Sequence, residues 1–188
     1  MYPNHPYNTP AYSYYPSQPH NQYPLSYHPY SVTGYPTPCW PYAAHEPFRS
    51  WQAGQIKDYG KQPFVVNIEQ VTEQNNTFRT ALWTGDHFQV TVMSIPVGSD
   101  IGLEVHPHTD QFIRIEEGQG LVQMGKTRDK LDFQSSAYDG YAVMIPAGTW
   151  HNVTNTGNEP LKVYVIYAPP QHPFGTVHAT KADAMSAE

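Results

Sequence analysis

Gly140-Tyr141-Ala142-Val143-Met144-Ile145-Pro146-Ala147-Gly148-Thr149-Trp150-His151-Asn152-Val153-Thr154-Asn155 has the spacing G-x5-P-x-G-x2-H-x3-N. Tyr141 to Ile145 is apolar and β-prone. Pro146 fixes φ and withholds a ladder donor, and Gly148 permits a reversal. The stretch therefore reads as a strand, a tight turn and a second strand. His151 leaves the turn at the start of that second strand, where its imidazole can point into a barrel.

Outward from this stretch, from Pro63 onward, β-branched and aromatic runs alternate with Gly, Asn, Asp and Pro punctuation. Strands are expected at Phe64–Ile68, Thr77–Trp83, Phe88–Ile95, Phe112–Glu116, Leu121–Met124, Tyr141–Ile145, His151–Asn155 and Lys162–Tyr167. The charged residues of 126 to 139 read as a solvated loop between two halves. Helical periodicity is confined to the last residues, after His178. Many short strands with closely spaced turns predict an all-β sandwich or barrel.

Upstream, Gly98 and Gly118 bracket Glu104, His106, His108 and Gln111. Together with the 140–155 stretch, these residues resemble the two signature motifs of the cupin superfamily. That family's first motif runs G-x5-H-x-H-x3,4-E-x6-G. The visible H-x-H, His106 and His108, does not fit its glycine spacings. Gly98, Glu104, His106, Gln111 and Gly118 fit them all, with Glu104 in place of the first histidine and Gln111 in place of the glutamate.

Residues 64 to 170 thus resemble a small single-domain cupin of the mannose-6-phosphate-isomerase-like kind. The resemblance implies a double-stranded β-helix (a jelly-roll barrel), a metal at its centre and commonly a homodimer. The implied ligands are Glu104, His106, Gln111 and His151, with His108 the substitute if the register is shifted. One carboxylate, two imidazoles and one amide oxygen suit a divalent transition metal, Mn, Fe, Co, Ni or Zn. Asp110, Tyr138, Tyr141 and Trp150 are candidates for substrate contact near the mouth. Asn155 is expected to hold a turn or strand edge. His172 and His178, in a Pro/Gly-rich segment, are expected to pack on the barrel.

Residues 1–45 are a different material. They contain no Asp, Glu, Lys or Arg, yet hold ten of the fifteen tyrosines and ten of the nineteen prolines. Repeated Tyr-Pro and His-Pro steps forbid helix and ladder alike, so the segment is expected to be extended and disordered. Its composition resembles Tyr/Pro/His-rich segments of bacterial spore coat proteins, and tyrosine suits multivalent contact with protein partners. Residues 46–62 are expected to be a linker or a segment docking on the barrel, 63–180 the barrel, and 181–188 a flexible C-terminus.

The remaining constraints concern partners. A net charge of −6 gives no footprint for nucleic acid or an anionic membrane. No apolar run approaches the ~18 residues of a membrane span. Cys39 is the only cysteine, which excludes an internal disulfide and a thiolate metal site. A cytoplasmic protein is expected, with incorporation in a spore coat as the alternative setting. Two functions compete. The first is a metal-dependent enzyme, isomerase, lyase or dioxygenase, acting on a small oxygenated molecule. The second is a structural protein whose barrel anchors the Tyr-rich tail.

Overall fold

The computed structural model describes residues 56–187, and the predicted disorder of residues 1–45 lies outside them. In chain order the elements are α1 (Ile68–Gln74), β1 (Arg79–Thr84), β2 (Gln89–Ile95), β3 (Asp110–Glu117), β4 (Gln119–Gly125), β5 (Phe133–Tyr138), β6 (Ala142–Ile145), β7 (Trp150–Asn155), β8 (Leu161–Ala168), β9 (Val177–His178) and α2 (Lys181–Ala187). The strands form two antiparallel sheets, one ordered β6-β3-β8-β2-β1-β9 and the other β5-β4-β7. Two such sheets agree with the sandwich or barrel that the strand count predicts and are consistent with the jelly roll that the resemblance implies. No helix among the described residues is long and apolar enough to cross a membrane.

The turn in the 140–155 stretch does not join a simple hairpin. β6 belongs to the large sheet and β7 to the small one, so the turn carries the chain across the barrel. Thr149 N donates to Pro146 O at 3.1 Å, and Gly148 sits at φ 77°. A four-residue turn with positive φ at its third residue is closed most cheaply by glycine. Gly118 makes the same crossing between β3 and β4 at φ 90°.

Strand alternation then fills the barrel. Registered rows run across the large sheet. Met93, Val163 and Ile115 form one, and Thr91, Val165, Ile113 and Val143 the next. The following row is polar: Gln89, Tyr167 and Gln111, each at most 4 % exposed. The barrel is therefore apolar along most of its length and polar at one end. The outer face of the large sheet carries a second cluster, Val71, Leu82 and Val92, against which Ile56, Tyr59, Phe64, Val66 and Ile68 pack.

Two local expectations are corrected. Phe64–Ile68 is not a ladder strand, because Asn67 caps a helix there: its Oδ1 accepts Gln70 N at 3.1 Å. An Asn followed three residues later by Gln is the capping pattern that β-branched Val65 and Val66 obscured. Within 126–139, residues 133–138 form β5 rather than loop. β5 is an edge strand with Ala137 its only buried residue, so it carries no apolar alternation to read. At the other end Lys181–Ala187 is helical, in the part where the sequence shows helical periodicity, and buries Ala184 in the core. Thr180 and Asp183 cap it reciprocally.

Candidate metal centre

Glu104 and His151 meet because their backbones do. Glu104 N donates to His151 O at 3.1 Å and His151 N to Glu104 O at 2.9 Å, an isolated antiparallel bridge. Directly opposed residues in such a pair send their side chains to the same face, so carboxylate and imidazole enter the barrel together. His106 lies two residues on in an irregular segment. Its carbonyl accepts Gly148 N at 2.9 Å, so the turn before β7 fixes its position.

The side chains converge. Nε2 of His106 and Nε2 of His151 each lie 3.3 Å from Oε1 of Glu104. One donor from each residue falls within 4.8 Å of the other two, and all three residues are buried. A divalent ion takes such ligands at ~2.0–2.2 Å, which sets neighbouring donors ~3–3.5 Å apart. The cluster has the spacing of one coordination shell and is consistent with a divalent-metal site.

Its hydrogen bonding says the same. His151 Nδ1 lies 2.8 Å from the Thr149 carbonyl. A carbonyl accepts only from a protonated nitrogen, so Nε2 is left as a bare lone pair aimed at the cluster. His151 Nε2, Glu104 Oε2 and Gln111 Oε1 are buried and take part in no hydrogen bond. Orphaned buried acceptors cost ~1–3 kcal/mol each, and a cation among them would remove that cost.

Burial alone would raise the Glu104 pKa. The His106 and His151 imidazoles against its Oε1, with the Arg79 charge, outweigh it and hold the carboxyl at about 2. Glu104 is a carboxylate throughout the physiological range, as a ligand must be.

Three neighbours were not read as site residues from the sequence. Arg79, fully buried, brings a terminal nitrogen 4.0 Å from Glu104 Oε2. Tyr167, at the end of β8, packs edge-on to His106 with centroids 5.7 Å apart. His172 packs on the barrel as expected, edge-on to Tyr167 at 5.0 Å. The Gln89 amide clasps it by donating to His172 O and accepting from His172 N. Burial, then the Arg79 charge, pushes the His172 imidazole down to about 3, so it is neutral. An arginine inside a β-prone run was a visible signal for Arg79. Nothing local marks His172.

Of the other candidates, His108 is exposed and does not join the cluster. Asp110 lies on the outer face of β3, where its Oδ1 accepts Ala147 N at 2.8 Å. Trp150 is half-buried beneath Arg128, 5.8 Å from the ring centroid. Tyr138 and Tyr141 are exposed and pack on each other. Tyr141 O accepts from Ile115 N, four residues along β3 from Gln111, or ~13 Å at strand rise. These two tyrosines do not join the site. Asn155 ties the Ile95 and Glu159 carbonyls and accepts Gly157 N, the structural part expected of it.

Residues 91–167 match the cupin domain family. Protein YrkC of Bacillus subtilis (strain 168) is 69 % identical over 133 residues, 71 % of this chain and 72 % of that protein. Protein L612 of Acanthamoeba polyphaga mimivirus is 39 % identical over 117 residues, 62 % of this chain and 71 % of that protein. The crystal structure of BH2720 from Bacillus halodurans has a TM-score of 0.69 at 69 % identity, covering 70 % of this chain and 99 % of that one. The chain belongs to the cupin family. The matched span of this cupin takes in Glu104, His106, Gln111 and His151 and ends at Tyr167, so the whole polar end of the barrel apart from Arg79, Gln89 and His172 lies within it.

Proposed function

We propose that this cupin is a divalent-metal-dependent enzyme of the isomerase or lyase type, acting on a small oxygenated molecule such as a sugar or keto acid. Glu104, His106 and His151 hold the ion, and the Gln111 amide oxygen is the fourth donor. The observation that carries this is the convergence of two imidazole nitrogens on one depressed carboxylate, with three buried acceptors otherwise unsatisfied. A bound ion supplies Lewis acidity, polarising a carbonyl or similar oxygen. Two imidazoles with two oxygen donors suit Mn, Fe, Co, Ni or Zn and are also the set that non-haem Fe(II) oxygenases use, so dependence on O2 is what separates this reading from the dioxygenase variant. The single barrel fits the mannose-6-phosphate-isomerase-like kind of small cupin.

Around the ion, Arg79 and the Glu104 carboxylate fix the charge, while Tyr167 and His172 wall the polar end. Elemental analysis of protein purified without chelators, with anomalous diffraction from its crystals, tests the proposal. About one ion per chain beside Glu104, His106, Gln111 and His151 is expected, followed by metal-dependent turnover of a sugar or keto acid under anaerobic conditions. A metal-free protein overturns the reading, and turnover only with O2 replaces it by the dioxygenase.

A second reading rests on residues 1–45, whose uncharged Tyr/Pro/His composition suits assembly into a protein layer such as a spore coat. Tyr12, Tyr14 and Tyr15 are its sites of stacking or cross-linking. Deleting 1–45 separates the two. Assembly lost with metal content kept makes the tail an address for a catalytic barrel. Assembly unchanged removes the structural role.

A further inference from the structure

The buried charged side chains of the described residues sort by place. Besides the imidazoles they are Arg79, Glu104, Glu116 and Lys162. Glu116 lies 3.2 Å from Arg114 Nε, and Lys162 Nζ donates to the Asn75 carbonyl. Glu116 is five residues along β3 from Gln111, and Lys162 five along β8 from Tyr167, or ~16 Å at strand rise. Arg79 and Glu104 are thus the charged pair of the metal centre.

Arg79 stands opposite Met93 on β2 and so faces into the barrel, its side chain 1 % exposed. Its terminal nitrogen lies 4.0 Å from Glu104 Oε2, while Oε1 of the same carboxylate faces both imidazoles at 3.3 Å. A single carboxylate thus stands between the guanidinium and the nitrogen donors. Arg79 and Glu104 cancel in charge, the imidazoles are neutral as ligands, and so is His172. With a divalent ion held there, the buried centre carries two positive charges in excess. Residues 1–45 contain no carboxylate to offset them. Buried charge is stable when paired, so the loaded centre calls for an anion.

We propose that Arg79 is the substrate-recognition residue of this centre and that the substrate it selects is a small carboxylate, a 2-keto acid. The inference rests on the proposed metal site and narrows its substrate from a sugar or keto acid to the acid. A guanidinium presents a planar fork of donors that matches a carboxylate. Burying it is costly even when it is paired, and an apolar side chain would fill the same inward position of β1 at less cost. Recognition of an anion accounts for the charge. The placing of the guanidinium favours a carboxylate over a phosphate. In a 2-keto acid the carboxylate is bonded directly to the carbonyl carbon, which suits a guanidinium one carboxylate away from the ion's donors. The phosphate of a sugar phosphate stands several bonds from its carbonyl.

Titration of the Co(II)-loaded full chain with pyruvate, its uncharged methyl ester and inorganic phosphate, followed by ligand-field absorption, tests the proposal. Pyruvate is expected to bind ~10–100-fold more tightly than the ester. Arg79→Met, similar in length and uncharged, should lose a factor of that size for pyruvate and little for the ester. Arg79→Lys, which keeps the charge without the fork, should fall between the two. Co(II) affinity, measured by chelator competition without pyruvate, separates recognition from damage. Removing a cation beside Glu104 leaves that affinity unchanged or raises it, whereas a disrupted barrel lowers it. If Arg79→Met does not fold or binds Co(II) more weakly, the ratio of pyruvate to ester affinity in Arg79→Lys decides. Wild-type protein that binds Co(II) yet takes the ester or phosphate as tightly as pyruvate overturns the proposal alone. So does an intact Arg79→Met with undiminished pyruvate affinity. Wild-type protein that binds no Co(II) overturns the metal reading itself, and this proposal with it.

Discussion

At the scale of single residues, Gln111 and His172 separate what is proposed to hold the ion from what surrounds it. As the proposed fourth ligand, the Gln111 amide would add an oxygen donor without charge. Gln111→Ala should lower Mn(II) or Zn(II) affinity by ~10–100-fold in calorimetric titration while leaving the fold intact. Gln111→Glu should raise affinity for Mn(II) and lower the stability of the metal-free protein, since two buried carboxylates repel. His172 acts through proton linkage. Its imidazole titrates at about 3 in the folded chain against 6.5 for an ordinary one, so the unfolded chain takes up a proton that the native one refuses. The resulting stability is complete above pH ~6.5 and drains as pH falls toward about 3, at up to ~1.4 kcal/mol per pH unit. Glu104, held at about 2, gives stability that is complete above its ordinary 4.5 and is lost as pH falls through about 2. Between pH ~6.5 and ~4.5, His172 is thus the one of the two that contributes slope. Urea midpoints of chelated protein across that window should fall with pH, and less so in His172→Gln. The ligand register was legible from the sequence because Gly98, Gly118, Gly140 and Gly148 all have positive φ, between 71° and 90°. Their spacing records backbone turns that a changed side chain does not move. Arg79, Tyr167 and His172 come from other parts of the chain, and only the topology brings them to Glu104.

At the scale of elements, the turn between β6 and β7 links fold to site. A Cβ at Gly148 meets nothing within 4 Å, so Gly148→Ala feels only its φ of 77°. That should cost ~1–2 kcal/mol in denaturant unfolding. Gly148 N also holds the His106 carbonyl, so the same substitution should weaken metal binding. Gly118→Ala should cost more, because its Cβ would sit 3.2 Å from Pro160 O as well. The strands with strong apolar runs were legible in the sequence, each to within a few residues. α1 and β5 were not, for opposite reasons. α1 is signalled by a cap that β-branched neighbours outweigh, and β5 has only one buried residue. The C-terminal strap is held by Asp58, which accepts from Thr84 N, Thr84 Oγ1, Gly60 N and Gly175 N. A single aspartate far from both motifs gives no sign of that task.

At the scale of the whole molecule, the polar end of the barrel is stability given up to make a site, and the ion should return it. An ion that binds only the native state stabilises by RT ln(1 + [M]/Kd), ~2.7 kcal/mol at one hundred times Kd. For a folded unit of this size that is roughly 10 °C in Tm. Differential scanning calorimetry of chelated and reloaded protein should show the rise, and Glu104→Gln should abolish it. The shift should be the same in a chain lacking residues 1–45. Every proposed donor lies between Glu104 and His151. A metal-dependent rise that disappears with the tail would instead put donors in residues 1–45, where His5, His20, His28 and His45 are available. It would also remove the buried cluster's claim to the ion.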